Sequence, residues 1–168
     1  SLESVEIAPV VDECIGLLAP LAALRGIALR HESLAGAAVR ADRMRLKQAL
    51  LKLLSNAVKY NREGGTVDLE LKHSGSDRLR IQIVDTGPGI PTSRLAELFD
   101  PFTRLGAEGS EIEGTGIGLT ITRRIVELMG GTVGVESEIG VGSCFWVELP
   151  LETPADAHTA TVPPAQTQ

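Results

Sequence analysis

The stretch from Asp42 to Gly65 leaves the chain few conformational options. Met44, Leu46, Ala49, Leu50, Leu53, Leu54 and Ala57 recur at intervals of three and four and share one broad face of a helix. Asp42 can accept a bond from the first turn as an N-cap, and Gly64-Gly65 ends the run. So wide an apolar face must be buried against a second layer. The next residues offer one: Val67, Leu69 and Leu71, then Leu79, Ile81 and Ile83, alternate with polar residues on either side of "SGSD", the pattern of a β-hairpin with one buried face.

The rest of the chain repeats this alternation of helix and strands. A first helix is expected from Pro9 to about Arg25, kinked or shortened at Pro20. "GIALRH" and "AAVRA" read as short strands around a "SLAG" turn. After the hairpin, "DTGPGIP" is a loop leading to a short helix near Ser93 to Leu98, and "RLGAEGSEIEG" reads as a mobile lid without apolar periodicity. A last helix is opened by Gly114 and runs to about Met129, followed by a second hairpin, Thr132 to Ser137 and Gly142 to Leu149, around "EIGVG". From Pro150 onward the Pro, Thr, Ala and Gln residues describe a disordered tail or linker. The expected class is α+β: a two-layer α/β sandwich in which three helices cover one face of a mixed, mostly antiparallel sheet.

Charge and composition narrow the function classes. A net charge of -6, the lack of a lysine or arginine run, and a total of three Phe, one Tyr and one Trp argue against a nucleic-acid surface. Cys14 and Cys144 match no metal spacing and read as free thiols in a reducing compartment, which points to the cytoplasm. The uncharged run "CIGLLAPLAAL" is too short to span a bilayer, although the chain could be one piece of a membrane protein.

Three local patterns could carry chemistry. Gly114, Gly116 and Gly118 precede a helix whose first N–H groups suit a phosphate, yet Leu119 breaks the dinucleotide fingerprint and no lysine completes a P-loop. A glycine-capped loop that lets the helix pack closely explains the same residues. Lys52, Asn56 and Tyr60 follow one another at four-residue steps with Lys59 beside them, a polar edge suited to Mg²⁺ and phosphate or, equally, to solvent. Asp85 ends an apolar strand, where a carboxylate needs a donor such as a purine amine, and Gly87 and Gly89 let a flat ring approach. A capping aspartate in a simple turn has the same signature.

Taken in order, "NAVKYN", "DTGPGI", "LFDPFTRLG", "GTGIGL" and "GVGSCFWVELP" resemble the N, G1, F and G2 boxes and final strand of the catalytic, ATP-binding (HATPase) domain of two-component sensor histidine kinases. These belong to the GHKL, or Bergerat-fold, ATPases that also include type II topoisomerases and heat-shock-90 chaperones. The resemblance covers about Val5 to Pro150. It implies Mg²⁺ on Asn56, phosphate or ribose contacts from Lys59 and Tyr60, the adenine amine on Asp85, and a base pocket shaped by Gly87, Gly89, Ile90 and Ser143. It further implies that Phe99 and Phe102 anchor an ATP lid, that Arg104 reaches the terminal phosphate, and that Gly114, Thr115, Gly116, Ile117, Gly118 and Leu119 form the lid hinge and phosphate-facing helix start.

Two departures qualify the resemblance. Lys52 stands where members carry Asn or, in related ATPases, a catalytic Glu; it could pair with the terminal phosphate and assist its transfer. None of His31, His73 and His158 suits a phosphoacceptor. The expected organisation is therefore a junction at residues 1–7 from a missing dimerisation and phosphoacceptor domain, a catalytic domain at 8–150 and a tail at 151–168. The expected function is transfer of the ATP γ-phosphate to a histidine of that other domain in a homodimeric parent, with a response regulator downstream and no nucleic-acid partner. The alternative is a degenerate nucleotide-binding regulator weakened by Lys52.

Overall fold

The structure, a computed structural model, describes residues 1–99 and 110–152, and for residues 110–118 the backbone alone. The elements in chain order are β1 (Glu3–Glu6), α1 (Ile7–Arg25), β2 (Ala28–His31), β3 (Ala38–Ala41), α2 (Arg43–Lys59), β4 (Thr66–Ser74), β5 (Arg78–Asp85), α3 (Thr92–Leu95), α4 (Ser110–Leu128), β6 (Thr132–Glu138) and β7 (Gly142–Pro150).

The expected sandwich is what forms. Five strands align in the order β2-β4-β5-β7-β6, with β2 parallel to β4 and every other neighbour antiparallel. Alternation puts Val67, Leu69, Leu79, Ile81, Ile83, Val147 and Leu149 on the buried face. Against them pack Leu46, Leu50, Leu53, Leu54 and Ala57 of α2, together with buried residues of α1 and α4. The opposite sheet face is polar and self-paired: the Arg80 guanidinium lies 4.2 Å from the centre of the Trp146 ring, and Arg78 and Arg80 both bridge to Glu148.

Leu50, on the same helix as Asn56, is fully buried. Leu50→Ala is expected to lower unfolding stability by about 3 kcal/mol, through lost transfer energy plus the cavity left behind. Chemical denaturation followed by circular dichroism measures the loss.

Several elements differ from the sequence reading. Residues 1–7, read as a junction, carry β1 and the start of α1; Val5 and Ile7 are buried, and β1 pairs with β3 in a separate two-stranded sheet. The helix α1 begins before Pro9 and continues unbroken past Pro20, because Pro20 and Gly16 lie on its exposed side, where water can serve the carbonyl that loses its donor. At 19 residues and mean hydropathy 1.8 it is long and apolar enough, by length and composition alone, to cross a membrane, so the shorter uncharged run understated it. Within the fold Ile7, Val10, Val11, Cys14, Leu18 and Ala22 of this helix are buried. The short helix α3 ends at Leu95 rather than Leu98.

The last helix, α4, starts at Ser110, four residues before Gly114. Ser110, Glu111 and Glu113 are residue types that suit a helix start and its positive dipole end. The glycines therefore lie within its first turns, not ahead of it. Residues 104–109 of the lid reading, residues 100–103 before it and the tail from residue 153 lie outside the described residues. Both cysteines are free, Cys14 buried and Cys144 half-buried, and burial pushes each thiol up to about 11, which keeps them protonated at neutral pH.

Candidate functional site

The cavity that gathers the sequence candidates forms where the C-terminal half of α2 meets the ends of β5 and β7. On this face of the sheet Asp85 and Ser143 are direct cross-strand partners, and Ile83 opposite Phe145 lies one step further in. The cavity has a volume of about 260 Å³. Ala57, Pro88, Ile90, Pro91, Leu98, Leu119 and Phe145 give it apolar walls, with Asn56, Tyr60, Asp85, Arg94 and Ser143 as its polar groups and Gly89 at the rim. Few polar groups in an apolar recess is the usual composition of a small-molecule site.

Asn56 is the most telling of these. Its residue is 7% exposed, and both Oδ1 and Nδ2 are buried without a hydrogen-bond partner among the described residues. Buried amides are nearly always paired, and an orphan costs about 1–3 kcal/mol for each group left unmet. Helical phase puts it there: at roughly 100° per residue Tyr60 falls about 40° from Asn56, so both reach the same recess. Lys59 lies on the other flank and is exposed, Lys52 is one turn back and half-buried, and neither is among the lining residues.

The end of α2 is held in place by two arginines. Arg25 donates to the carbonyls of Val58 (2.6 Å), Lys59 (2.9 Å) and Asn61 (2.9 Å), satisfying acceptors that the helix terminus leaves open. Arg62 donates to the carbonyls of Thr86 (2.9 Å) and Gly140 (3.1 Å), joining α2 to both loops at the cavity mouth. Asn61, 5% exposed, adds a bond from Nδ2 to the Thr66 carbonyl and accepts from the Thr86 hydroxyl at 3.1 Å.

At the opposite wall Asp85 Oδ1 accepts from the backbone N–H of Gly87 (2.8 Å) and of Ser143 (3.3 Å). Burial raises the Asp85 carboxyl above the usual carboxylate range, and these two bonds pull it back only in part. Gly87 has no room for a side chain, since a Cβ would stand 2.9 Å from the Tyr60 carbonyl oxygen. Gly89 has φ +84° and its missing Cβ would strike the Glu138 carbonyl. The loop is pinned further by Ile90 N–H on Ser137 Oγ at 2.7 Å and by Gly140 N–H on the Pro88 carbonyl at 2.8 Å.

Of the sequence candidates, then, Asn56, Tyr60, Asp85, Gly89, Ile90, Leu119 and Ser143 line one cavity, and Gly87 supports its floor. Phe99 is half-buried against the core. Phe102 and Arg104 lie outside the described residues, and Gly114, Thr115, Gly116, Ile117 and Gly118 are described only as helix backbone. Sequence reading missed Arg25, Arg62, Arg94, Ser137 and Gly142. Gly142 carries a signal of its own kind, φ +146° and a Cβ that would meet the Asp85 carbonyl, but it shows only when the strands are paired.

Residues 41–153 match a family model described as histidine kinase-, DNA gyrase B-, and HSP90-like ATPase. Among curated relatives, the adaptive-response sensory kinase SasA of Parasynechococcus marenigrum (strain WH8102) is 42% identical over 111 residues, which are 66% of this chain and 29% of the relative. The chain thus spans less than a third of that relative's length. Among solved structures, full-length ShkA in complex with AMPPNP superposes with a TM-score of 0.76 at 35% identity, over 91% of this chain and 32% of that one. Histidine kinase ThkA in complex with the response regulator protein TrrA superposes with a TM-score of 0.72 at 25% identity, over 90% of this chain and 42% of that one.

Proposed function

The chain belongs to the family of histidine kinase-, DNA gyrase B- and HSP90-like ATPases, and from that membership we propose that its cavity binds Mg²⁺-ATP for transfer of the γ-phosphate to a histidine on a separate domain of the same parent. The observation that carries this reading is the buried Asn56 amide, which has no partner among the described residues and faces the same recess as the Asp85 carboxylate. One end of the cavity asks for a cation or phosphate and the other for a hydrogen-bond donor. An adenine nucleotide with its metal answers both.

Asp85 accepts from the adenine amine through Oδ2, since Oδ1 is held by backbone N–H groups. Gly87, Gly89, Ile90 and Ser143 shape the base pocket, and Tyr60 and Lys59 reach ribose or phosphate. Asn56 would hold Mg²⁺ through its amide oxygen, a hard donor of the kind magnesium takes. Bound magnesium supplies charge neutralisation across the phosphates. From the family resemblance, Arg104 would meet the terminal phosphate, Lys52 would support it from one turn back, Phe99 and Phe102 would anchor the lid, and Gly114 to Leu119 would let the helix backbone approach the phosphates. Arg94 adds a guanidinium to the same wall. Catalysis is then mostly positioning and charge stabilisation, with proton transfer left to groups on the acceptor domain.

In this reading residues 8–150 are the catalytic domain, residues 1–7 lead in from the dimerisation and phosphoacceptor domain while packing β1 and Ile7 onto the catalytic fold, and residues 151–168 are a tail or linker. The parent is a cytoplasmic-facing homodimer that passes phosphate to a response regulator. The likeness to SasA and to the ThkA assembly supports that role. The test is phosphotransfer with radiolabelled ATP, on this chain alone and on the chain extended by the parent's acceptor domain. Acid-labile label is expected on the acceptor domain and not on the isolated chain. Label on His31, His73 or His158 of the isolated chain contradicts the reading.

A further inference from the structure

Ser137, which lies outside the cavity wall, makes three contacts that decide how the cavity can hydrogen-bond. Its Oγ receives the Ile90 N–H at 2.7 Å, lies 3.1 Å from the Gly142 carbonyl oxygen, and lies 2.7 Å from Ser143 Oγ. A hydroxyl has one proton and two lone pairs. The backbone N–H can only donate, so it takes a Ser137 lone pair. The Gly142 carbonyl can only accept, so it takes the Ser137 proton. With the Gly142 bond made, the contact between the two hydroxyls, which by distance alone could run either way, runs with Ser143 donating to Ser137.

The consequence falls on Ser143, which is 7% exposed and lines the cavity beside Asp85. Its proton is committed to Ser137, and its backbone N–H is committed to Asp85 Oδ1 at 3.3 Å. What Ser143 can offer a ligand is lone pairs, next to a carboxylate that also only accepts. A base edge placed here must bring donors. A 6-amino purine does so at position 6 itself; a 6-oxo purine keeps one donor, its N1–H, but sets its O6 acceptor against the Asp85 and Ser143 acceptors, and a buried polar group left unpaired makes that mismatch costly.

We propose that Ser137 is the positioning residue that sets this polarity and thereby makes the cavity select 6-amino over 6-oxo purine nucleotides. The assignment rests on the nucleotide reading of the cavity and adds to it a residue that touches no ligand. With Ser137 removed, the Ser143 hydroxyl is free to turn and donate, and a 6-oxo base gains a partner.

The test is calorimetric titration of the chain with Mg²⁺-ATP and Mg²⁺-ITP, which differ in the purine ring's position 6 and the N1 proton that goes with it. The parent is expected to prefer ATP. Ser137→Ala is expected to shrink that preference by about tenfold, the scale of one hydrogen bond gained or lost, while Ser137→Thr, which keeps a hydroxyl, retains the parent's ratio. Thermal melts establish that each variant is folded; if Ser137→Ala is not, Ser143→Ala decides, and it is expected to shrink the preference too. An unchanged ratio in the deciding variant, an equal loss of both nucleotides, or a threonine variant that behaves like alanine overturns the assignment. A parent that binds ATP without preferring it over ITP overturns the assignment and leaves nucleotide binding standing. A parent that binds neither defeats the nucleotide reading, and this assignment with it.

Discussion

Asn56→Leu is expected to make the nucleotide-free domain more stable and to abolish its binding of Mg²⁺-nucleotide. Leucine keeps asparagine's branching at Cγ, and its greater bulk can extend into the adjoining cavity, whose walls are largely apolar. The substitution removes two buried polar atoms that have no partner among the described residues. Each costs the folded state about 1–3 kcal/mol, and a gain of even about 1–2 kcal/mol raises the melting temperature by several degrees. The same change removes the oxygen assigned to magnesium, so affinity is expected to fall at least about 100-fold, equivalent to about 2.7 kcal/mol. Differential scanning fluorimetry and calorimetric titration read the two effects separately. A leucine variant that melts lower and binds as the parent does would mean that Asn56 is structural.

Asp85→Asn is expected to separate stability from binding in a similar way, with pH as the control. Burial lifts the Asp85 pKa in the folded state. The sign follows from linkage: a carboxyl that is easier to protonate when folded favours folding below its unfolded pKa, and that contribution disappears as pH rises through the folded pKa. At neutral pH the ionised group is therefore a cost, which asparagine removes while keeping an oxygen for the Gly87 and Ser143 N–H groups. The variant should melt no lower than the parent at pH 7.5, with its advantage narrowing as pH falls and the parent's carboxyl takes up its proton. Its amide presents N–H where the adenine amine also presents N–H, and ATP affinity should drop about 100-fold. The parent's own ATP binding should weaken as pH descends into the raised titration range of Asp85. A variant that keeps ATP affinity, or an advantage that widens toward acid pH, contradicts this assignment.

What could be read in the chain and what could not divides along contact distance. The apolar face of α2 from Leu46 to Ala57 and the alternation of β4, β5 and β7 are local periodicities and form as expected, whereas Met44, read onto the same face, is exposed in the helix's first turn, and α2 ends at Lys59, short of the Gly64-Gly65 stop. The placements of Asn56 and Asp85 are also as expected, one set by helical phase and the other by strand alternation. By contrast "ESVE" is too short to read as a strand until β3 lies beside it, and "AAVRA" gave no hint that it pairs with β1 outside the main sheet. The start of α4 was obscured because the glycines and acidic residues of 109–114 look like loop, although the acidic ones also suit a helix N-terminus. Arg62 acts on a carbonyl 78 residues away and Ser137 on an amide 47 residues back. No local pattern marks such residues, whose roles exist only after the β6–β7 turn folds over the Asp85 loop.

The most direct test of the central claim is a calorimetric titration of the parent chain with AMPPNP, with and without Mg²⁺. One site per chain, with affinity that falls sharply when magnesium is withheld, is the result this account predicts. A folded chain that gives no heat in either condition and displaces no fluorescent adenine nucleotide would contradict it.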